Sequence, residues 1–328
     1  MDELPLFDLP APARRPAWHA LKVGVQRLAD EGILLGTSSW KYPGWIGWLY
    51  DKGRYQTRGK LSMDRFERNC LKEYAEVFRT VCVDAGYYTF PAAATIAGLM
   101  DQVPPDFRFS WKATAEITMK RFPALPRYGR RGGQLNPAFL DAELFANCFL
   151  GPMEPYRERT GVIIFEFSRF QAGDWNRGVE FVEAMDAFLG KLPGGWQYGV
   201  EIRNRSFLEP PWFACLAKHG VAHVFNSWQH MPGIDEQLAL PGSITTDFAS
   251  ARLLLKPGRA YADAVEMFSP YGAIKESLPS VRVSTVELIH RLRRNALPTR
   301  RSSYLYVNNR LEGNALETIL AVISGSTA

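Results

Sequence analysis

A chain of 328 residues, 46% of them hydrophobic, can bury a large core, as one barrel with extensions or as two domains. No apolar run in it is long enough for a membrane-spanning helix. A formal charge of +5 suits anionic ligands, from sugar phosphates to nucleic acid, without choosing among them.

Residues 1–30 read as an N-terminal extension, and 31–328 as a single domain. The acidic, proline-rich start, Met1 to Pro10, lacks the basic and apolar regions of a secretory signal, so a cytoplasmic location is expected. A helix is predicted over 17–29. Strand-like apolar runs then recur at 33–37, 80–84, 107–112, 161–167, 198–203, 221–226, 251–255 and 303–307. Helical patterns fall between them at 63–77, 92–100, 137–149, 174–189, 211–219 and 281–295, with 314–323 after the last strand. The connection after the sixth strand is only weakly helical. This alternation predicts βα units and a parallel sheet. Neither GxGxxG after the first strand nor GxxxxGK[ST] is present, so the usual nucleotide signatures of an open sheet are missing. The expected fold is α/β, a TIM-like (β/α) barrel of about eight parallel strands.

The most informative local feature is the pair Glu201 and Arg203 inside an apolar strand. Side chains alternate along a strand, so both point to one face, and charges there need a partner or a task. Other runs also end in polar residues: Asp84, Lys112, Glu166, Asn226, Asn308 and Asn309. Barrel chemistry sits at such strand ends. Glu201 can act as acid or base beside an anion-gripping Arg203, or the two can be a structural ion pair. Lys112, after Phe109 and Trp111, can be a base, a Schiff-base nucleophile, a phosphate ligand or a paired lysine. Asp84 can pair Lys112 from the neighbouring strand, with Glu166 in a similar role. Tyr88, beside Tyr87, and Trp40 in the cluster of Tyr42, Trp45, Trp48 and Tyr50 can line a pocket or simply pack. Asn308 and Asn309 suit hydroxyls or amides, or cap a loop. An anion site near Gly313, Lys256 and Arg259 would follow barrel custom.

Other chemistries find less support. The four cysteines, Cys70, Cys82, Cys148 and Cys215, form no CxxC pair and read as buried thiols in a reducing compartment. His219, His223 and His230 lack further ligands nearby, so no metal and no cofactor are expected. Ser38, Ser39 and Ser206 lack a histidine partner. The arginine-rich stretches 127–131 and 291–301 read as solvated faces, so nucleic acid is an alternative partner and not the preferred one.

Five motifs in order carry a family likeness: 36–45 (Gly36 through Trp40 and Pro43 to Trp45), 78–91 (Phe78 to Pro91), 104–118 (Pro104 through Lys112 to Thr118), 201–207 (Glu201 to Phe207) and 306–315 (Tyr306 to Ala315). From about residue 32 onward the chain resembles the YecE-like family, called domain of unknown function 72. The resemblance implies a TIM-like barrel and supplies no reaction. Against the family's usual pattern, Cys82 stands for Glu, Asp84 for Asn, Glu166 for Gln, Met119 for His, Asn226 for Asp and Pro257 for His. Carboxylates have moved, which fits an altered substrate or a decayed site.

The preferred expectation is a metal-independent enzyme acting on a small anionic, hydroxylated metabolite. Arg203 and Lys112 would hold charge, Glu201 with Asp84 would move protons, and Asn308 and Asn309 would orient hydroxyls. Hydrolysis is favoured over lyase cleavage or isomerisation. The alternatives are a nucleic-acid-binding or processing protein and a non-catalytic ligand-binding protein. Oligomeric state is left open.

Overall fold

The apolar runs close into a barrel of eight parallel strands, as expected. They are β1 Ile33–Thr37, β2 Thr80–Val83, β3 Arg108–Lys112, β4 Thr160–Phe167, β5 Gln197–Ile202, β6 Ala222–Ser227, β7 Ser250–Leu253 and β8 Ser303–Val307. This computed structural model describes residues 16–84, 86–175, 177–294 and 301–327. Each strand pairs with its sequence neighbour, and β8 closes on β1 from Ile33↔Ser303 to Thr37↔Val307.

The β1–β2 seam has one register pair, Thr37↔Val81. Tyr74, at the end of helix Met63–Tyr74, bridges it. Its hydroxyl accepts from the Thr37 amide at 3.1 Å and donates to the Thr80 carbonyl at 3.0 Å. That helix forms because Ser62 caps its first turn, with Oγ accepting from the Arg65 amide at 3.3 Å. Phe66, Cys70, Leu71 and Tyr74 then share one buried face.

Alternation along the strands sorts two cores. Outward residues such as Ile33, Leu35, Phe165 and Val200 join the large core under the helices. Inward residues, among them Leu34, Val162, Ile164, Val224, Tyr304 and Tyr306, form a separate cluster. The Tyr306 hydroxyl is satisfied inside the barrel, donating to Ser110 Oγ at 2.5 Å and lying 2.8 Å from Thr80 Oγ1. Tyr304 fills space opposite Gly161, where a Cβ would stand 2.8 Å from its ring. The barrel is therefore a packed core with room only at its ends. Two residues beyond Ser110, Ile164, Val224 and Ser250 stand Lys112, Glu166, Asn226 and Arg252, so the inward row turns polar at the C-terminal mouth.

Helix Pro16–Asp30 buries Trp18, Leu21, Val25 and Leu28. Its Gly24 lets the chain approach Ile323 of the last helix, Ala315–Gly325, where a Cβ would come 2.2 Å from that side chain. The rest of the predicted extension, residues 1–15, lies outside the described residues.

Several helices differ from expectation. The pattern at 137–149 becomes a helix only at Ala142, because Asp141 caps it by accepting from the Leu144 amide at 2.9 Å. It then widens to a π turn over Ala146–Leu150 and tightens to 3₁₀ over Gly151–Arg159. A helix not anticipated, Tyr261–Phe268, follows β7. The helix expected over 281–295 starts at Pro279, runs to Arg294, and its final expected residue is outside the described ones. Among the described residues, no helix is long and apolar enough to cross a membrane.

Candidate functional site

Five strands bring their charges together at the mouth. Glu166 on β4 and Glu201 on β5 are register partners. Arg203 follows β5, Arg252 is on β7, Lys112 ends β3, and Asp84 follows β2. One oxygen of Glu166, Oε2, meets three cations: Arg252 Nη1 at 2.7 Å, Arg203 Nη2 at 2.8 Å and Lys112 Nζ at 2.9 Å. Glu201 receives Arg203 Nε on Oε1 at 3.0 Å and Arg252 Nη1 on Oε2 at 2.6 Å. Asp84 lies farther out, its Oδ1 3.6 Å from Lys112 Nζ and 3.9 Å from Arg252 Nη2.

Burial alone would push the Glu166 carboxyl up, but Arg203, Lys112 and Arg252 together outweigh it and hold it well below the usual glutamate range. Burial works against the charge on Arg252, yet the carboxylates of Glu201, Glu166 and Asp84 more than restore it. Both groups are therefore charged at neutral pH. Burial raises Tyr87 above the ordinary tyrosine value, keeping its hydroxyl protonated.

Above this network opens a cavity of about 520 Å³. Its charged wall comprises Lys112, Arg127, Arg203, Arg252 and Arg310 against Asp84 and Glu166. Cations thus outnumber carboxylates five to three even when the buried Glu201 is counted. Aromatic rings hold the cations in place. Lys112 Nζ sits 3.7 Å from the Tyr87 ring centroid and the Arg203 guanidinium 3.7 Å from that of Trp228. At the rim, Arg127 lies 5.0 Å from Tyr88 and Arg310 4.6 Å from Tyr261.

The sequence-derived site residues divide in two. Lys112, Asp84, Arg203, Tyr88 and Glu166 line the cavity. Glu201 is fully buried with both oxygens engaged and is no part of the wall. Asn226 is likewise buried, donating to the Ile202 carbonyl at 3.1 Å. Asn308 and Asn309 serve the backbone: Asn308 Oδ1 accepts from the Arg310 amide at 2.9 Å, and Asn309 Oδ1 from the Ala315 amide at 2.7 Å. Trp40 is buried away from the cavity, and its carbonyl accepts from the Tyr50 hydroxyl.

The anion site imagined near the last helix is occupied by the chain itself. Asn314 Oδ1 takes the Leu316 amide at 2.9 Å, and Glu276 pairs with both Lys256 and Arg259. Reasoning from sequence missed Arg252, Trp228, Tyr261 and Arg310. For Arg252 the signal was present: a lone charge within the apolar run Ala251 to Leu255.

Elsewhere, Asp186, Cys215 and His219 bring one ligand atom each within 4.8 Å of one another. Both oxygens of Asp186 already accept from Lys218 at 2.8 Å. His223 packs edge-on against Phe213 and Phe225, and burial lowers its pKa to about 4. Among the described residues of the basic stretches, Arg131 pairs with Glu116, Arg291 and Arg294 with Glu287, Arg293 with Glu31, and Arg301 with Asp247.

Two Escherichia coli proteins, from O157:H7 and from strain K12, each named UPF0759 protein YecE, are 23% identical to this chain over 204 and 203 residues. Each match covers 62% of this chain and 57% of the relative, so the chain matches little more than half of their length. Among solved structures, a DUF72 family protein from Thermotoga maritima superposes with a TM-score of 0.59 at 20% identity, covering 90% of this chain and 99% of that one. One from Enterococcus faecalis does so with a TM-score of 0.58 at 16% identity, covering 90% and 96%. These likenesses are of fold. The family model described as protein of unknown function DUF72 matches residues 34–325, and the chain belongs to that family.

Proposed function

We propose that the mouth binds a small anionic, hydroxylated metabolite and acts on it by acid–base chemistry without a metal. The observation that carries this reading is the charge balance of the cavity wall, five cations against two carboxylates. Lys112, Arg203 and Arg252 share one carboxylate oxygen, which leaves donor capacity for a second anion. The same positive wall opposes a divalent cation. Tyr87 supplies a neutral hydroxyl donor.

The proton-moving role goes to Asp84. Glu166 is pinned as an anion by three cations, and Glu201 is enclosed by two guanidinium groups that it orients. The Asp84 side chain is 51% exposed, at the cavity wall, and open to water. Water is the nucleophile at hand, so hydrolysis is the reaction such a carboxylate would support. Four free thiols, Cys70, Cys82, Cys148 and Cys215, suit a cytoplasmic setting for this chemistry.

Calorimetric titration with phosphorylated sugars and sugar acids tests the reading. Loss of one charged hydrogen bond should weaken binding about 10- to 100-fold in Lys112→Met. Arg127→Gln, at the exposed rim, should weaken it less and flatten its salt dependence. Binding unaffected by either substitution would overturn the anion site.

A second reading, nucleic-acid binding, draws on the arginine-stacked Tyr88 and Tyr261 at the rim. The pairing of the basic stretches weakens it. Steeply salt-dependent oligonucleotide binding, with no small-anion binding, would favour it.

A further inference from the structure

Beside the mouth lies a second cavity of about 340 Å³, and the two share Met119, Pro123 and Ser168 in their walls. The second differs in kind. Phe122, Pro123, Ala124 and Phe170 make its wall apolar. Two of its cations are already engaged. Lys120 donates to the Asp174 carbonyl and lies 3.1 Å from the Trp175 ring centroid. Arg121 donates to the Gly133 carbonyl at 2.8 Å and approaches the Asp174 carboxylate at 3.7 Å.

We infer that the two cavities form one trough and that its ligand is an amphipathic acid. An anionic head meets Lys112, Arg203 and Arg252, and an apolar body passes Met119 to rest against Phe122, Pro123 and Phe170. This rests on the anion reading of the mouth and adds the class of molecule. Continuity carries it: a ligand held at the head has beside it a partly open space with a largely apolar wall, reached past shared wall residues. An apolar cavity of about 150 Å³ takes a benzene ring, so this space accommodates a ring system or a chain of roughly six to eight carbons.

The test is calorimetric titration of the whole protein with n-alkyl phosphates from methyl to octyl. Affinity should climb about two- to fourfold per methylene until the second cavity fills. Ala124 is exposed and lines only the second cavity, so Ala124→Trp fills that space without touching the charge network. The variant should bind methyl phosphate as the wild type does and lose the dependence on chain length. A flat wild-type series with methyl phosphate still bound overturns the trough and leaves the anion site standing. A folded Ala124→Trp protein that keeps the chain-length dependence also overturns it. Failure of every alkyl phosphate to bind, methyl included, removes the anion reading and this inference together.

Discussion

Glu166 and Glu201 face each other across β4 and β5 and share a single nitrogen, Arg252 Nη1, at 2.7 and 2.6 Å. Two buried carboxylates side by side would repel strongly without a cation between them. Arg252 therefore sets whether the mouth can exist in this charge state, and Arg203 and Lys112 complete the compensation.

Arg252→Ala should destabilise the fold by about 3–5 kcal/mol, the usual cost of removing one partner from a buried ion network. Glu201→Gln should cost less, since an amide oxygen still accepts from one guanidinium. Equilibrium urea unfolding measures both. A loss below about 1 kcal/mol in Arg252→Ala would mean that the network is not held as the geometry implies.

Two buried groups contribute to acid sensitivity, in windows that overlap only narrowly. The carboxyl of Glu166 is depressed in the folded state, so its contribution is present above the ordinary glutamate value near 4.5 and is lost as pH falls toward the folded value. His223 acts at higher pH. Burial lowers it from 6.5 to about 4, so between those values the unfolded chain binds a proton that the folded one does not. Stability must fall as pH drops through that window, by on the order of 3 kcal/mol if fully expressed. His223→Leu removes the term, and Gln237 Oε1 keeps its bond from the Asn226 amide at 3.3 Å. Unfolding free energies at pH 7 and 4.5 should therefore differ less in the variant. An equal drop in both proteins would assign the acid sensitivity elsewhere.

All eight strands were legible because β-branched and aromatic runs, bounded by turns, announce strands locally, and β1 and β8 match to the residue. The helix Tyr261–Phe268 was not: its Ala260 cap makes no side-chain hydrogen bond, and within it only Ala264 and Phe268 are buried. The site was half legible for a related reason. Alternation tells which side of a strand a residue faces, so Lys112, Glu166 and Arg203 could be placed inside the barrel. It does not tell height, which depends on the stagger of strands around a closed barrel. Glu201 shows the difference, since it is inward like its register partner Glu166 yet absent from the cavity wall. Asn308 and Asn309 mislead for another reason: an asparagine at a strand end serves backbone amides as readily as ligands.

Asp84→Asn should separate binding from turnover. The carboxylate lies 3.6 Å from Lys112 and 3.9 Å from Arg252, where it would compete with the proposed anion. Its removal should leave stability within about 1 kcal/mol, since the pair is partly exposed, and should tighten anion binding several-fold. Turnover of any substrate found should fall by about 100-fold or more. Titration and a rate assay on one preparation decide it. Undiminished turnover would take Asp84 out of the chemistry while leaving the anion site in place.

Tyr74→Phe tests closure of the barrel itself. The β1–β2 seam has one register pair, so the Tyr74 hydroxyl carries much of the polar contact between these strands. Removing the oxygen leaves the ring packed against Phe78 at 4.6 Å but strands the buried Thr37 amide and Thr80 carbonyl. The expected cost is about 1–3 kcal/mol, with the urea dependence unchanged because the same surface is buried. Global stability alone would not distinguish a seam effect from a general loss, so hydrogen exchange supplies the local readout. The Thr37 amide should exchange faster relative to the Ser38 amide, which donates to the Val307 carbonyl at 3.2 Å on the intact β1–β8 side. Equal acceleration of both amides would show that the seam opens only with the whole barrel, and that the tyrosine adds stability without specifically holding the closure.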